Sequence, residues 1–137
     1  MPNAATRPLS LPAKVELALR IWTTFLVVQG GIRRQPLPDF VAQLGGSGRQ
    51  LRESHSPAQL SRAVYKSLRI GSRRPKCLVN SLVLFHLLRT QGDPAELVIG
   101  LPEEPADHFA HAWVEVEGVD VGPPPGRNGH RELARFR

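Results

Sequence analysis

The stretch Lys76-Cys77-Leu78-Val79-Asn80-Ser81-Leu82-Val83-Leu84-Phe85-His86-Leu87-Leu88-Arg89 decides the architecture. Apolar residues occupy almost every position, so no polar stripe remains for solvent. The helix that this stretch predicts is therefore buried on most of its faces. Pro75 re-aims the chain just before it, and Gly92-Asp93-Pro94 stops it after about Gln91.

A helix covered on most sides needs neighbours, and the flanking sequence supplies them. Upstream, Ala13 to about Gln29 fits a helix stopped by Gly30-Gly31, and Asp39-Phe40-Val41-Ala42-Gln43-Leu44 fits a short helical turn. Gly45-Gly46-Ser47-Gly48 then reads as a flexible loop. Ser56 is a good N-cap and Pro57 suits the first helical position; Leu60, Val64 and Leu68 mark one face of a helix ending near Ile70. Downstream the pattern becomes β: Ala95 to Gly100, then Ala110 to Val116, turned back at Glu117-Gly118 into Val119-Asp120-Val121. Pro123-Pro124-Pro125-Gly126 closes that strand, and the last ten residues read as a polar tail or a short edge element. Helices followed by about three antiparallel strands give an α+β class, with a small sheet packed on the central helix.

Length allows one core. At 137 residues, with 41% hydrophobic and 6% aromatic residues, the chain is a single globular domain. Residues 1–12, with three prolines, are expected to be a flexible tail, leaving 13–137 as the domain. The single cysteine excludes an internal disulfide and a multi-thiolate metal site, and suits a reducing compartment such as the cytoplasm. The start of the chain does not read as a signal peptide. Val15 to Val28 is apolar but would span only roughly 20 Å as a helix, against roughly 30 Å of hydrocarbon. It reads as a core helix, with contact to a membrane surface left open.

Charge is unevenly placed. Residues 1–76 carry 13 Lys/Arg and 3 Asp/Glu, and residues 77–137 carry 5 and 9, so a +10 half precedes a −4 half. A basic half invites an anionic partner (an acidic peptide, an anionic lipid or nucleic acid) or is simply a solvated arginine-rich surface. Nucleic acid is the weakest of the three partners, because no helix-turn-helix or aromatic-interleaved pattern accompanies the scattered cations. Arg73 and Arg74, with Arg62, Lys66 and Arg69 upstream, would form a cationic lip beside Cys77.

Cys77 opens the central helix, where unpaired backbone N–H groups and the helix dipole favour a thiolate. His111 follows thirty-four residues later on a strand. A thiol at a helix start and a histidine on a later strand are the two parts of a cysteine nucleophile. The alternative for Cys77 is a small core residue. Trp113, on the same strand face as His111, would wall a cleft or pack in the core. His86 lies about 900° around the helix from Cys77 and cannot pair with it. The spacings of Cys77, His108, His111 and His130 form no recognised zinc-ligand pair, and neither a metal nor a cofactor is expected.

Three elements together carry a family resemblance: the helix opening Lys76-Cys77-Leu78-Val79-Asn80-Ser81-Leu82, the run Gly92-Asp93-Pro94-Ala95-Glu96-Leu97-Val98-Ile99-Gly100, and the hairpin Ala110-His111-Ala112-Trp113-Val114-Glu115-Val116-Glu117-Gly118. From about Ser56 to Val121 the chain resembles the cysteine peptidases of lasso-peptide biosynthesis, which belong to the transglutaminase-like superfamily. The resemblance implies catalysis by Cys77 and His111. It also implies removal of the leader from a ribosomally made precursor peptide, with a separate leader-recognition protein as partner and ring closure left to an ATP-dependent lasso cyclase. The family's acidic residue falls at Pro123 here, so Asp120 is the nearest carboxylate candidate. With a tight turn at Glu117-Gly118 it would lie opposite Glu115, beyond hydrogen-bond reach of His111, so either the hairpin is bulged or a backbone carbonyl, Asn128 or another chain orients the imidazole. Two other readings share the same fold: a transglutaminase-like acyltransferase and a non-catalytic peptide-binding module.

Overall fold

A computed structural model describes residues 11–46, 55–70, 77–102, 111–122 and 130–137. Four helices precede four strands: α1 (Leu11–Arg34), α2 (Leu37–Gly46), α3 (Pro57–Ile70), α4 (Cys77–Thr90), β1 (Ala95–Pro102), β2 (His111–Val116), β3 (Val119–Gly122) and β4 (His130–Phe136). The fold is α+β, as the sequence implies.

α4 is the hub. Val79, Leu82, Val83, Leu84, Phe85, Leu87 and Leu88 are all buried in one cluster, which α1, α2, α3 and the sheet complete. Each such side chain gains about 1.5–3 kcal/mol from burial, enough to fix a helix with almost no polar face. Its end is a Schellman motif: the Asp93 N–H donates to Leu88 O (3.0 Å) and the Gly92 N–H to Arg89 O (3.1 Å). Gly92 sits at φ 96°, which glycine adopts without cost.

α3 starts where Ser56 and Pro57 predict, and the structure adds that the cap is reciprocal. The Gln59 N–H donates to Ser56 Oγ (3.1 Å), and the Ser56 N–H donates to Gln59 Oε1 (3.4 Å). Leu60, Val64 and Leu68 form its buried stripe. The start of α3 is tied to the end of α4: the His55 N–H donates to Gln91 Oε1 (3.1 Å) and Gln91 Nε2 donates to His55 O. The two helices therefore run antiparallel, and the end of α3 lies at the Cys77 end of α4.

α1 differs from its expected length. It does not stop at Gly30-Gly31 but continues to Arg34. A Cβ at Gly31 would overlap the Phe40 ring, so this glycine lets α2 pack closely on α1 rather than ending the helix. The helix is long and apolar enough to cross a membrane. Its Leu17, Ile21 and Val28 are buried in the common core, while Val15, Leu19 and Leu26 face outward.

The sheet is fully antiparallel, in the order β3-β2-β1-β4. The chain's end is a fourth strand at the sheet edge, the second of the two readings its sequence allows, and β4 pairs with β1 from Pro102↔His130 to Leu97↔Phe136. Ala112 and Val114 point into the α4 core, with Val116 packed against it; His111, Trp113 and Glu115 alternate onto the other face.

Candidate active site

The start of α4 and the start of β2 lie at the same end of the molecule. β1 returns antiparallel to α4 after the Gly92 turn, and β2 runs antiparallel to β1, so β2 follows the direction of α4. One buried bond pins the two together, from Ser81 Oγ to Ala112 O (3.0 Å). Cys77 lies four residues before Ser81, about 6 Å along a helix. His111 lies one residue before Ala112, about 3.4 Å along a strand. The main chains of the two candidate residues thus lie at the same end of the helix–sheet layer. The Cys77 side chain lies outside the described residues, as do Arg73, Arg74, His108, Pro123 and Asn128.

The half-buried His111 ring joins an aromatic cluster. It stacks on Trp113 with centroids 6.2 Å apart and planes at 25°, and lies 5.0 Å from the His130 ring. The reason is Gly100, which pairs with His111 in the central strand β1. Without a side chain there, rings from β2 and β4 close over β1. A Cβ at Gly100 would come within 2.7 Å of Trp113 Cη2 and 2.9 Å of Arg131 O.

Below the cluster, Trp113 is 1% exposed and its Nε1–H donates to Glu115 Oε2 (2.8 Å). Glu115, a carboxylate only 1% exposed, also accepts from Arg135 Nη1 (3.1 Å). Arg135 bridges further to Glu96 (2.8 Å) and Glu132 (2.7 Å). These carboxylates hold its guanidinium well above the ordinary value, Glu132 and Glu96 most strongly. A buried charge held by a guanidinium and an indole N–H is stable where an unpaired one would not be.

Asp120 sits apart. It pairs with Glu115 across the β2–β3 ladder, after a two-residue turn at Glu117 (φ 53°) and Gly118 (φ 80°). That position is about 14 Å along the strand from His111. A register shift exists, but it lies beyond Asp120: Val114 faces Gly122, leaving Val121 as the extra residue. Asp120 is exposed, and its Oδ1 accepts from the Gly122 N–H (2.8 Å). That bond holds the bulge at Val121.

His86 is a core residue. It is 7% exposed, its Nδ1 lies 3.0 Å from Leu44 O, and burial pulls its pKa down. His130 and Arg135 fall in the last ten residues, which local sequence reading leaves as a polar tail or a short edge element with no role in the site. Their one signal is Glu115, a carboxylate between Val114 and Val116 in a strand that otherwise reads as buried. Among the described residues no group of three or more histidine, cysteine or acidic residues is placed to hold a metal ion.

The arrangement can support thiol chemistry: a helix start supplies N–H donors for a developing oxyanion, and a strand histidine stands at the same end. The family model described as "Transglutaminase-like superfamily" matches residues 20–135. No curated protein and no solved structure matches the chain. With that match spanning α1 to β4, the chain belongs to the transglutaminase-like superfamily.

Proposed function

We propose that this protein is a cysteine peptidase that removes the leader from a ribosomally made lasso-peptide precursor. The observation that carries the catalytic part is the Ser81–Ala112 bond, which sets the Cys77 helix start beside the His111 strand start. In this reading the Cys77 thiolate attacks the scissile carbonyl and the C–N bond breaks as His111 gives a proton to the leaving amine. Water, deprotonated by His111, then releases the acyl group and restores the thiol. The Cys77 backbone N–H is one oxyanion donor. The resemblance supplies the substrate and partners: a precursor peptide brought by a separate leader-recognition protein, with a lasso cyclase acting afterwards, in the cytoplasm. Arg73 and Arg74 belong to the face that meets them.

The test is incubation of the purified chain with a precursor and leader-recognition protein encoded beside it, read by mass spectrometry. Free leader and core are expected, and none with Cys77→Ala. A product joined to an added amine instead of hydrolysed would make the protein an acyltransferase. Binding without any product would make it a non-catalytic peptide module.

A further inference from the structure

α3 and β3 run side by side toward the Cys77 end of the molecule. α3 does so because it is antiparallel to α4, and β3 because it is antiparallel to β2. Between them lies a groove of about 870 Å³. Arg62, Tyr65 and Lys66 form its α3 wall; Val119, Asp120 and Val121 form its β3 wall.

Three features describe what fits there. The wall on α3 carries two cations one turn apart, Arg62 and Lys66, both exposed and in no ion pair among the described residues. Apolar contact surface lies beside them: Tyr65 is 42% and Val119 62% exposed, and both line the groove. The opposite wall is the end strand of the sheet, with a strand neighbour on one side only among the described strands. An end strand is a template for a further extended segment, whose alternate side chains then meet the two walls.

We propose that this groove receives an extended acidic segment of a peptide chain, laid along β3 with its carboxylates toward Arg62 and Lys66. The inference takes peptide as the ligand class from the proposed function, but docking needs neither Cys77 nor His111. Its place, on the path from the turn at Gly118 toward the Cys77 end, suits a surface that holds substrate while a bond is cut farther along.

The experiment uses the full chain carrying Cys77→Ala and fluorescence anisotropy with two labelled peptides, one alternating glutamate with valine and one alternating lysine with valine. The acidic peptide is expected to bind, more weakly as salt rises, and the basic one is not. Arg62→Glu with Lys66→Glu is expected to weaken binding about ten-fold or more, because both attractive charges become repulsive. Lys14→Glu with Arg33→Glu, on α1, leaves it unchanged. Tyr65→Ala, which keeps every charge, also weakens it.

Several results overturn the inference: equal binding of both peptides, equal loss from the α1 pair, or no binding at all. Displacement of the acidic peptide by a single-stranded oligonucleotide would assign the groove to nucleic acid. A concentration-dependent dimer abolished by the Arg62/Lys66 pair would assign it to a second copy. Acidic-peptide binding by a chain that never cleaves precursor would refute the peptidase and leave the groove. Cleavage by a chain with no such binding would do the reverse.

Discussion

Gly100→Ala adds one methyl group at the place where three strands share an aromatic roof. The new carbon would sit 2.7 and 2.8 Å from two Trp113 ring atoms and 2.9 Å from Arg131 O, against about 3.4 Å for an ordinary contact. Both neighbours resist moving. The Trp113 ring is 1% exposed and held by its bond to Glu115, and the oxygen is main chain in the paired strand β4. Overpacking of this kind costs about 1–3 kcal/mol. Loss of glycine's freedom in the unfolded chain returns about 0.4–1 kcal/mol. The net expectation is a destabilisation of about 1–2 kcal/mol, or a fall in Tm of roughly 3–10 °C for a domain of this size.

The assay is thermal and urea unfolding, together with tryptophan emission in a Trp22→Phe background so that the signal reports Trp113 alone. Emission should shift, because the ring must tilt away from β1 and from its stack with His111. Adding Trp113→Phe removes the colliding atoms, so the two substitutions together should cost less than the sum of the singles. An alanine variant as stable as the parent, with unchanged Trp113 emission, would refute the placement of that ring over Gly100.

His111→Ala should cut leader cleavage by on the order of a hundredfold or more, and combining it with Cys77→Ala should be no worse than the cysteine change alone. Asp120→Asn should leave the cleavage rate within about two-fold, since the side chain lies opposite Glu115 and asparagine keeps the acceptor used by Gly122; a ten-fold loss would place it in catalysis instead. Arg135→Met strips a partner from the buried Glu115 and should cost about 3 kcal/mol in urea unfolding, most of it recovered by adding Glu115→Gln. For His86 the folded pKa lies below the ordinary 6.5. The unfolded chain therefore takes up the proton first, and stability present above pH 6.5 is lost as pH falls toward the lowered value. His86→Gln should flatten that part of the difference in urea midpoint between pH 7.5 and pH 5.5.

Much of this protein was readable along the chain because its signals are local. A long run with almost no polar face reads as a buried helix; Ser56 and Pro57 mark a helix start side by side; a turn at Glu117-Gly118 fixes which residue faces Asp120. Cys77 and His111 are legible as candidates for the same reason, one by its helix start and the other by its strand. The features that escaped are those that depend on distant segments meeting. Gly31 looks like a helix stop until Phe40 of α2 packs against it. The last residues leave a polar tail and a short edge element both open, because β4 has charges on both sides of its chain. Only pairing with β1 brings His130 to His111 and Arg135 to Glu115. A strand at a sheet edge needs no alternating apolar pattern when a buried carboxylate and a glycine gap on its neighbours supply the contacts. Those contacts span 19 to 39 residues of sequence, a range over which local periodicity carries no information.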